Sequence, residues 1–324
     1  MSADRRDLDL LVVGEINPDV VISDPDPVPV FGEHERIVRA IRLTIGSSSA
    51  IAACAGARLG LRVAFAGIVG DDPFGRFMLE AMAARGIDVA ACTVHPDLPT
   101  GATVILSSGR DRAMLTALGT IGSLDVDSIP DALLDRARHV HSGCFFLQEE
   151  SRDRLPGFLA AARARGLTTS FDTNWDPAER WDGVNDMLRS ADIFFPNAEE
   201  ARRISGRDDV EDAARALARV GAEGRTDGGP LIVVKLGAVG AIARRATGEV
   251  YRTPAMPVTV VDTTGAGDSF DAGFLGAWLD GRSTMEALRS GAACGALSTR
   301  GLGGVDGQPT RAELEEALAA WSAA

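Results

Sequence analysis

Cysteine is scarce and scattered in this chain. Cys54, Cys92, Cys144 and Cys294 form no CxxC pair, and 324 residues build a core without disulfide staples. All four read as reduced, mostly buried thiols. Histidine is equally rare. His139 and His141 share one face if their segment is a strand, but no third ligand lies nearby, which argues against a structural zinc site. Basic residues are outnumbered 33 to 46, a net charge of −13. That field repels phosphate backbones and argues against a nucleic-acid partner, while leaving room for one local phosphate pocket. Long apolar runs are missing. The longest, such as 10–13 and 63–69, fall far short of the ~20 residues of a membrane span. Residues 1–9 are polar and lead into too short an apolar run for a secretory signal, so a cytoplasmic location is expected. Two nucleotide motifs are absent as well: there is no GxxxxGK[ST] and no GxGxxG after a strand, which disfavours a P-loop and a Rossmann dinucleotide site.

Apolar residues make up 45% of the chain and charged residues 24%, ordinary values for a folded globular protein. Strand and helix signals alternate. Residues 8–14 and 63–69 read as buried strands, and 36–43 as a half-exposed strand by its alternation. Ser47, Ser48 or Ser49 caps a helix ended by Gly60. Asp72-Pro73 opens a second helix, closed by Gly86. Residues 101–107 and 112–117 read as strands joined by a turn at Ser108-Gly109-Arg110-Asp111. Apolar strands then recur at 138–142, 168–172, 192–195 and 231–235, between alanine-rich helical stretches. Helices follow at about 266–280 and 284–299, and Thr310 to Glu313 is a capping box for a last one. The loop 223–230 reads as exposed. This rhythm predicts an α/β fold with a doubly wound, mostly parallel sheet flanked by helices. The segments at about 18–43 and 100–118 lack intervening helices and predict a small antiparallel sheet beside it. Residues 1–324 read as a single domain with these segments inserted.

In such sheets ligands bind at the carboxyl ends of the strands. Here the strands end in polar, helix-breaking residues: Gly14 to Asp19, Asp172 to Asp176, Pro196 to Glu200, and Gly237 to Gly240. The sharpest segment is Asp262-Thr263-Thr264-Gly265-Ala266-Gly267-Asp268. Gly265, Ala266 and Gly267 leave backbone N–H groups uncovered at a helix N-terminus, a site for a phosphoryl group. Asp268, in the first turn, is either a dipole-stabilising carboxylate or a general base beside an anion hole, which suits phosphoryl transfer to a hydroxyl.

That segment resembles the C-terminal signature of the ribokinase-like (PfkB) sugar kinases, and the resemblance extends over nearly the whole chain. Gly14 to Asp19 is similar to the family's first substrate loop, with its Asn-x-Asp. Gly46 to Gly60 resembles its N-terminal glycine-rich signature and helix. Residues 69–75, Val-Gly-Asp-Asp-Pro-Phe-Gly, are similar to the family as well. Asn197-x-x-Glu200 matches the motif that organises Mg2+ through water, and Lys235 with Gly237 and Gly240 resembles the turn bordering the nucleotide. The resemblance implies transfer of the γ-phosphoryl of ATP to a hydroxymethyl group of a sugar or related alcohol. Asp268 would be the base, Gly265, Ala266 and Gly267 the anion hole, and Lys235, Gly237, Gly240 and Asn197 the ATP contacts. Asn17 and Asp19 would bind substrate hydroxyls, joined by Gly46, Ser47 and the cationic Arg112. Asp262 and Thr264 resemble positions near a monovalent-cation site, for K+. The small sheet would be a lid, and in many members the lid also builds a homodimer.

Two positions depart from the pattern. Ser47 stands where a second glycine is usual, and Ile51 where an asparagine usually touches the sugar. An apolar side chain cannot make that contact, so either the substrate differs or another group, such as Ser47, Ser48 or Ser49, supplies it. Arg110, Trp175, Cys144 and Gln148 are further candidates near the pocket. A nucleoside kinase of the same fold is the alternative within the chemistry, although no aromatic wall for a base is evident. A non-catalytic ligand sensor is the alternative outside it.

Overall fold

The computed structural model describes residues 6–108 and 112–323. Gly109, Arg110 and Asp111, in the expected hairpin turn, lie outside the described residues. The main sheet has eight strands, in the order Val250–Thr253, Ala241–Arg244, Leu231–Lys235, Ile193–Phe194, Thr168–Phe171, Ala137–Ser142, Leu8–Val13, Val63–Ala66. All contacts are parallel except the two at the Val250–Thr253 edge. Strand side chains alternate between two cores. Leu11 and Val13 pack with Leu159, Leu188 and Leu217 on one face. Leu10 and Val12 pack with Ile51, Phe270 and Phe274 on the other. Both faces are therefore covered by helices, which is why these strands read as continuous apolar runs.

Chain order reverses between Leu8–Val13 and Ala137–Ser142, because the chain first crosses from Leu8–Val13 to Val63–Ala66 and later returns to its other side. A crevice opens at the carboxyl ends of strands flanking such a reversal, and the four polar strand ends read from the sequence lie along that edge.

A second sheet of four strands, Ala40–Ile45, Pro18–Ser23, Ala102–Ser107 and Arg112–Ala117, sits beside the first. It contains the two antiparallel pairs expected, joined by one parallel contact between Pro18–Ser23 and Ala102–Ser107. Two boundaries differ from the sequence reading. Residues 36–39 are loop rather than strand: Arg36 Nη2 donates to Asp26 Oδ2 at 2.8 Å and the Arg39 N–H to Asp24 Oδ2 at 3.1 Å, bonds that hold this stretch to the preceding loop. The run 63–69 is two strands. Val63–Ala66 stays in the main sheet, while Ile68–Gly70 pairs with Thr93–His95, the chain turning away at Gly67, whose carbonyl accepts the Thr93 N–H.

Candidate active site

The helix Ala266–Leu279 opens on Gly265, whose φ of 71° lies in the left-handed region. A Cβ there would sit 2.7 Å from the Gly304 carbonyl oxygen and 2.8 Å from Ile51 Cγ2, so only glycine fits. No side chain caps this end, which leaves its first N–H groups open to an incoming anion. Asp268 lies within this first turn and is buried. Burial chiefly, and then the nearby Asp172 and Glu15, push its carboxyl up to about 8, against the pull of Lys235 and the Ser48 hydroxyl. A carboxylate so desolvated is a far stronger proton acceptor than an exposed one.

Beneath it lies an ionic cluster that the sequence reading missed. Lys235 Nζ donates to Asp172 Oδ2 at 2.5 Å and to both oxygens of Asp271 at 3.2 and 3.3 Å. Asp172 is held ionised: burial opposes this, but Lys235, Asp271 and the Asn174 N–H outweigh it. Burial pushes Asp271 up instead, with only partial relief from Lys235. The one signal available in the sequence was that Asp271 falls three residues after Asp268 on the same helix face. Asp172 directly follows the strand Thr168–Phe171 and pairs with Lys235 63 residues further on, so nothing local pointed to its pairing. Lys235 is strongly favoured in its charged form, since the three neighbouring carboxyls outweigh its burial. Its stem lines a cavity of about 500 Å³ with Gly237, Gly240, Ala266, Gly267 and Thr299. The Lys235 and Gly237–Gly240 positions thus border one cavity that reaches the open helix end.

Asn197 and Glu200 form a reciprocal capping box. Asn197 Oδ1 accepts the Glu199 and Glu200 N–H groups, while Glu200 accepts the Asn197 N–H at 2.8 Å and its Nδ2 at 2.6 Å. Glu200 is pushed up to about 7, by burial first and then by Asp172, with Lys235 opposing. Asp172, Asp268, Asp271 and Glu200 are four buried carboxyls around one ammonium. That surplus of hard oxygen donors fits a hydrated divalent cation. Among the described residues no cluster of three or more His, Cys, Asp or Glu forms a direct metal cage.

The other wall comes from the first strand and the small sheet. Asn17 and Asp19 are buried, and burial pushes Asp19 up to about 7 against the charge of Arg112. Gly46 is needed here by close approach: a Cβ would lie 2.2 Å from Asp19 Oδ1. Arg112 Nη1 donates to Thr264 Oγ1 at 2.7 Å, tying the small sheet to the loop ahead of the anion hole. Asp262 organises that loop, accepting the Thr264 N–H and hydroxyl through Oδ1 and the Gly303 N–H through Oδ2.

The three serines have separate tasks. Ser47 accepts the Ala50 N–H and donates its only proton to the Glu15 carbonyl, so toward a substrate it offers an acceptor alone. Ser49 donates to the buried Glu15 carboxyl at 2.5 Å. Ser48 accepts from Asn174 Nδ2 at 2.7 Å. Ile51 is buried beneath Gly265 and Gly304 and belongs to the core. Cys144 is buried at a left-handed turn, and its N–H bonds Asn174 Oδ1. Gln148, buried as well, bonds Ser142 and the Gly143 carbonyl. Trp175 is 43% exposed and meets Trp181 edge-on.

The chain is similar to known sugar kinases along nearly its whole length. It is 32% identical over 314 residues to a ribokinase of Haemophilus influenzae, covering 95% of this chain and 98% of that one. It is 31% identical over 280 residues to a 2-dehydro-3-deoxygluconokinase of Bacillus subtilis, covering 83% and 84%. The structure of Arabidopsis thaliana ribokinase complexed with ribose and ATP superposes with a TM-score of 0.81 at 25% identity, covering 96% of this chain and 98% of that one. The sequence profile of the pfkB family carbohydrate kinases matches residues 7–311. With this match and the open glycine turn beside a buried carboxylate, the chain belongs to the pfkB family of ATP-dependent carbohydrate kinases.

Proposed function

We propose that this kinase phosphorylates a hydroxymethyl group of a sugar or sugar-like alcohol, with Asp268 as general base. The observation that carries this reading is a buried carboxyl raised to about 8 in the first turn of an uncapped helix. The acceptor O–H gives its proton to Asp268 while its oxygen attacks the γ-phosphorus of ATP. The bond from that phosphorus to the β–γ bridging oxygen breaks, and ADP leaves. The N–H groups of the Gly265-Ala266-Gly267 turn meet the charge on the phosphoryl oxygens as it is transferred. ATP lies along the cavity bordered by Lys235, Gly237 and Gly240. Asn17, Asp19 and Gly46 hold the acceptor, with Ser47 as an acceptor of one hydrogen bond and Arg112 closing over it. Glu200, oriented by Asn197, would hold Mg2+ through water, and Mg2+ supplies neutralisation of the β- and γ-phosphates. Asp262 and Thr264 would border K+, whose charge the Asp262 carboxylate balances.

The small sheet is read as a lid that excludes water. Its inner face carries Asp19. Its outer face is a row of Leu43, Val20, Val104 and Leu115, directly paired across the four strands. A sheet face this apolar supports a homodimer through the lid. Among the described residues no helix is long and apolar enough to cross a membrane. A cytoplasmic location, where ATP and Mg2+ are available, suits the reaction.

The test is ADP release with Mg-ATP and K+ across pentoses, hexoses, keto-deoxy sugar acids, inositols and nucleosides. A signal with a sugar or sugar acid that disappears in Asp268→Asn supports the reading. A signal only with nucleosides replaces the acceptor class. Ligand-induced thermal shifts with no turnover of any acceptor replace catalysis by sensing.

A further inference from the structure

The cavity of about 500 Å³ bordered by Lys235, Gly237 and Gly240 is apolar over most of its lining. Met256, Val258 and Val260 come from the loop after the strand Val250–Thr253, Phe270 from the helix Ala266–Leu279, and Ala292 and Ala296 from the helix Thr284–Ser298. Among the described residues lining it, only Lys235, Thr263 and Thr299 have polar side chains. Lys235 Nζ is held by Asp172 and Asp271. Thr263 stands two residues ahead of Gly265, at the phosphate end. Thr299 Oγ1 gives its one proton to the Ala296 carbonyl at 2.7 Å and has none left to donate. The main chain on that side is committed as well. The Ala296 carbonyl also takes the Thr299 N–H, the Gly295 carbonyl takes the Ser298 hydroxyl, and the Thr299 carbonyl takes the Val261 and Asp262 N–H groups. Pro257, on the other side, has no N–H. Pro257 and Val260 are exposed, so the cavity is open to water along that edge.

We infer that this kinase takes its phosphoryl group from several purine nucleoside triphosphates, GTP and ITP as well as ATP. The inference rests on the reading that ATP lies along this cavity. Apolar contact holds the two-ring face, which adenine, guanine and hypoxanthine share, while the edge in which they differ stays in water. A site built to hydrogen-bond that edge would reject the wrong base by about 10⁴- to 10⁵-fold, whereas an apolar pocket separates molecules of similar shape only weakly. The transfer itself is unchanged. The acceptor oxygen bonds the γ-phosphorus, the bond to the β–γ bridging oxygen breaks, GDP or IDP leaves, and the acceptor proton goes to Asp268.

The test uses the full-length enzyme with the Mg2+ salts of ATP, GTP, ITP, CTP and UTP. The acceptor is whichever of D-ribose, D-fructose and 2-dehydro-3-deoxy-D-gluconate is phosphorylated fastest, with the phosphorylated product measured by mass spectrometry. Binding of Mg-ADP, Mg-GDP and Mg-IDP by calorimetry is the readout that needs no acceptor. GTP and ITP are expected within about 10-fold of ATP in kcat/KM, and the three diphosphates within the same range in Kd. CTP and UTP, which lack the second ring, are expected about 10- to 100-fold lower. Met256→Ala raises KM for ATP, GTP and ITP by one common factor, about 3- to 10-fold, as loss of a shared apolar contact requires. If Met256→Ala lowers the melting temperature, Val260→Ala, at the exposed edge, takes its place. A preference for ATP above about 100-fold over both GTP and ITP would mean that a polar group reads the base edge, and would overturn the inference. Pyrimidine donors as good as purines would do the same, since the base would then contribute no contact. If ATP alone is used and Met256→Ala still raises its KM, the nucleotide lies in this cavity and only the inference falls. If both variants leave every KM and Kd unmoved, the nucleotide lies elsewhere, and the reading of the cavity falls with the inference.

Discussion

Asp268 and Lys235 are both removed from water, yet their environments push them in opposite functional directions. Lys235 has an excess of carboxylates around it and stays charged. For Asp268, Lys235 and the Ser48 hydroxyl do not offset burial and the nearby Asp172 and Glu15, and so it prefers its proton up to about pH 8. A base must be ionised to act. Turnover is therefore expected to fall as the pH drops through the folded-state value and to level off above it, in a kcat–pH profile of the wild-type enzyme. Replacing Asp268 with asparagine keeps the volume and removes the base. A loss of roughly 10²- to 10⁴-fold in kcat is expected from general-base catalysis, with KM for ATP little changed; steady-state kinetics at pH 8 decide it. The sequence pointed to Asp268 through its place after a glycine turn. It did not show the cluster that sets its proton affinity, because Asp172, Lys235 and Asp271 meet only across three separate elements.

At the scale of elements, two pieces of local geometry carry the site. One is the entry to the helix Ala266–Leu279. Gly265→Ala places a methyl against the Gly304 carbonyl and Ile51 at a positive φ, displacing the N–H groups of the turn. Loss of such a donor set is expected to lower kcat by about 10²- to 10³-fold, read against binding of ATP by calorimetry to separate chemistry from affinity. The other is the pair of strands Ala137–Ser142 and Thr168–Phe171. His139 and His141, weighed in the sequence as metal ligands, are both buried there and bond Thr168 and Ser170. Burial lowers His141 from 6.5 to about 4, with Asp172 opposing and Lys235 assisting. The fold thus favours neutral His141. Its contribution is whole above pH 6.5 and is lost as the pH falls toward 4, roughly 3 kcal/mol in all. Melting curves from pH 7 to pH 4.5 are expected to fall steeply for wild type and less steeply for His141→Gln. The loop 223–230 read as exposed from its polar, glycine-rich composition. Only half of it is: Glu223, Gly224, Thr226 and Asp227 are exposed, Gly229 and Pro230 are buried, and Arg225 is tucked in, bonding Asp192 and Asp227, an anchor that composition does not reveal.

The whole molecule adds the relation between the two sheets. Arg112 reaches Thr264, and Arg42 pairs with Asp306 at 3.0 Å, so the small sheet is tied to the main body on the site side. Its other face is left apolar. Leu43 and Leu115 are 40% and 63% exposed and stand in one cross-strand row. Leu115→Lys is expected to convert a dimer to a monomer in light scattering at micromolar concentration, with the melting temperature of the main body little changed. Wild-type protein that is already monomeric would remove the lid-dimer reading. Arg112→Ala, by contrast, is expected to raise KM for the acceptor by several-fold through lost closure, without altering the oligomer.

The sequence alone determined the alternation of strands and helices, the polar strand ends, the glycine turn and Asp268. Each is written in neighbouring residues, as a period, a cap or a turn, and local rules suffice to read it. It also flagged Ile51 as a departure without showing where that side chain goes. Only the tertiary structure decided that Ile51 packs beneath Gly265 and Gly304, that Ser47, Ser48 and Ser49 divide into three tasks, and that Asn174 reaches Ser48 across 126 residues. It alone assembled Lys235 with Asp172 and Asp271. Burial and the distances between charges exist only once the chain is folded, and those quantities, rather than residue identity, set which carboxyl holds a proton.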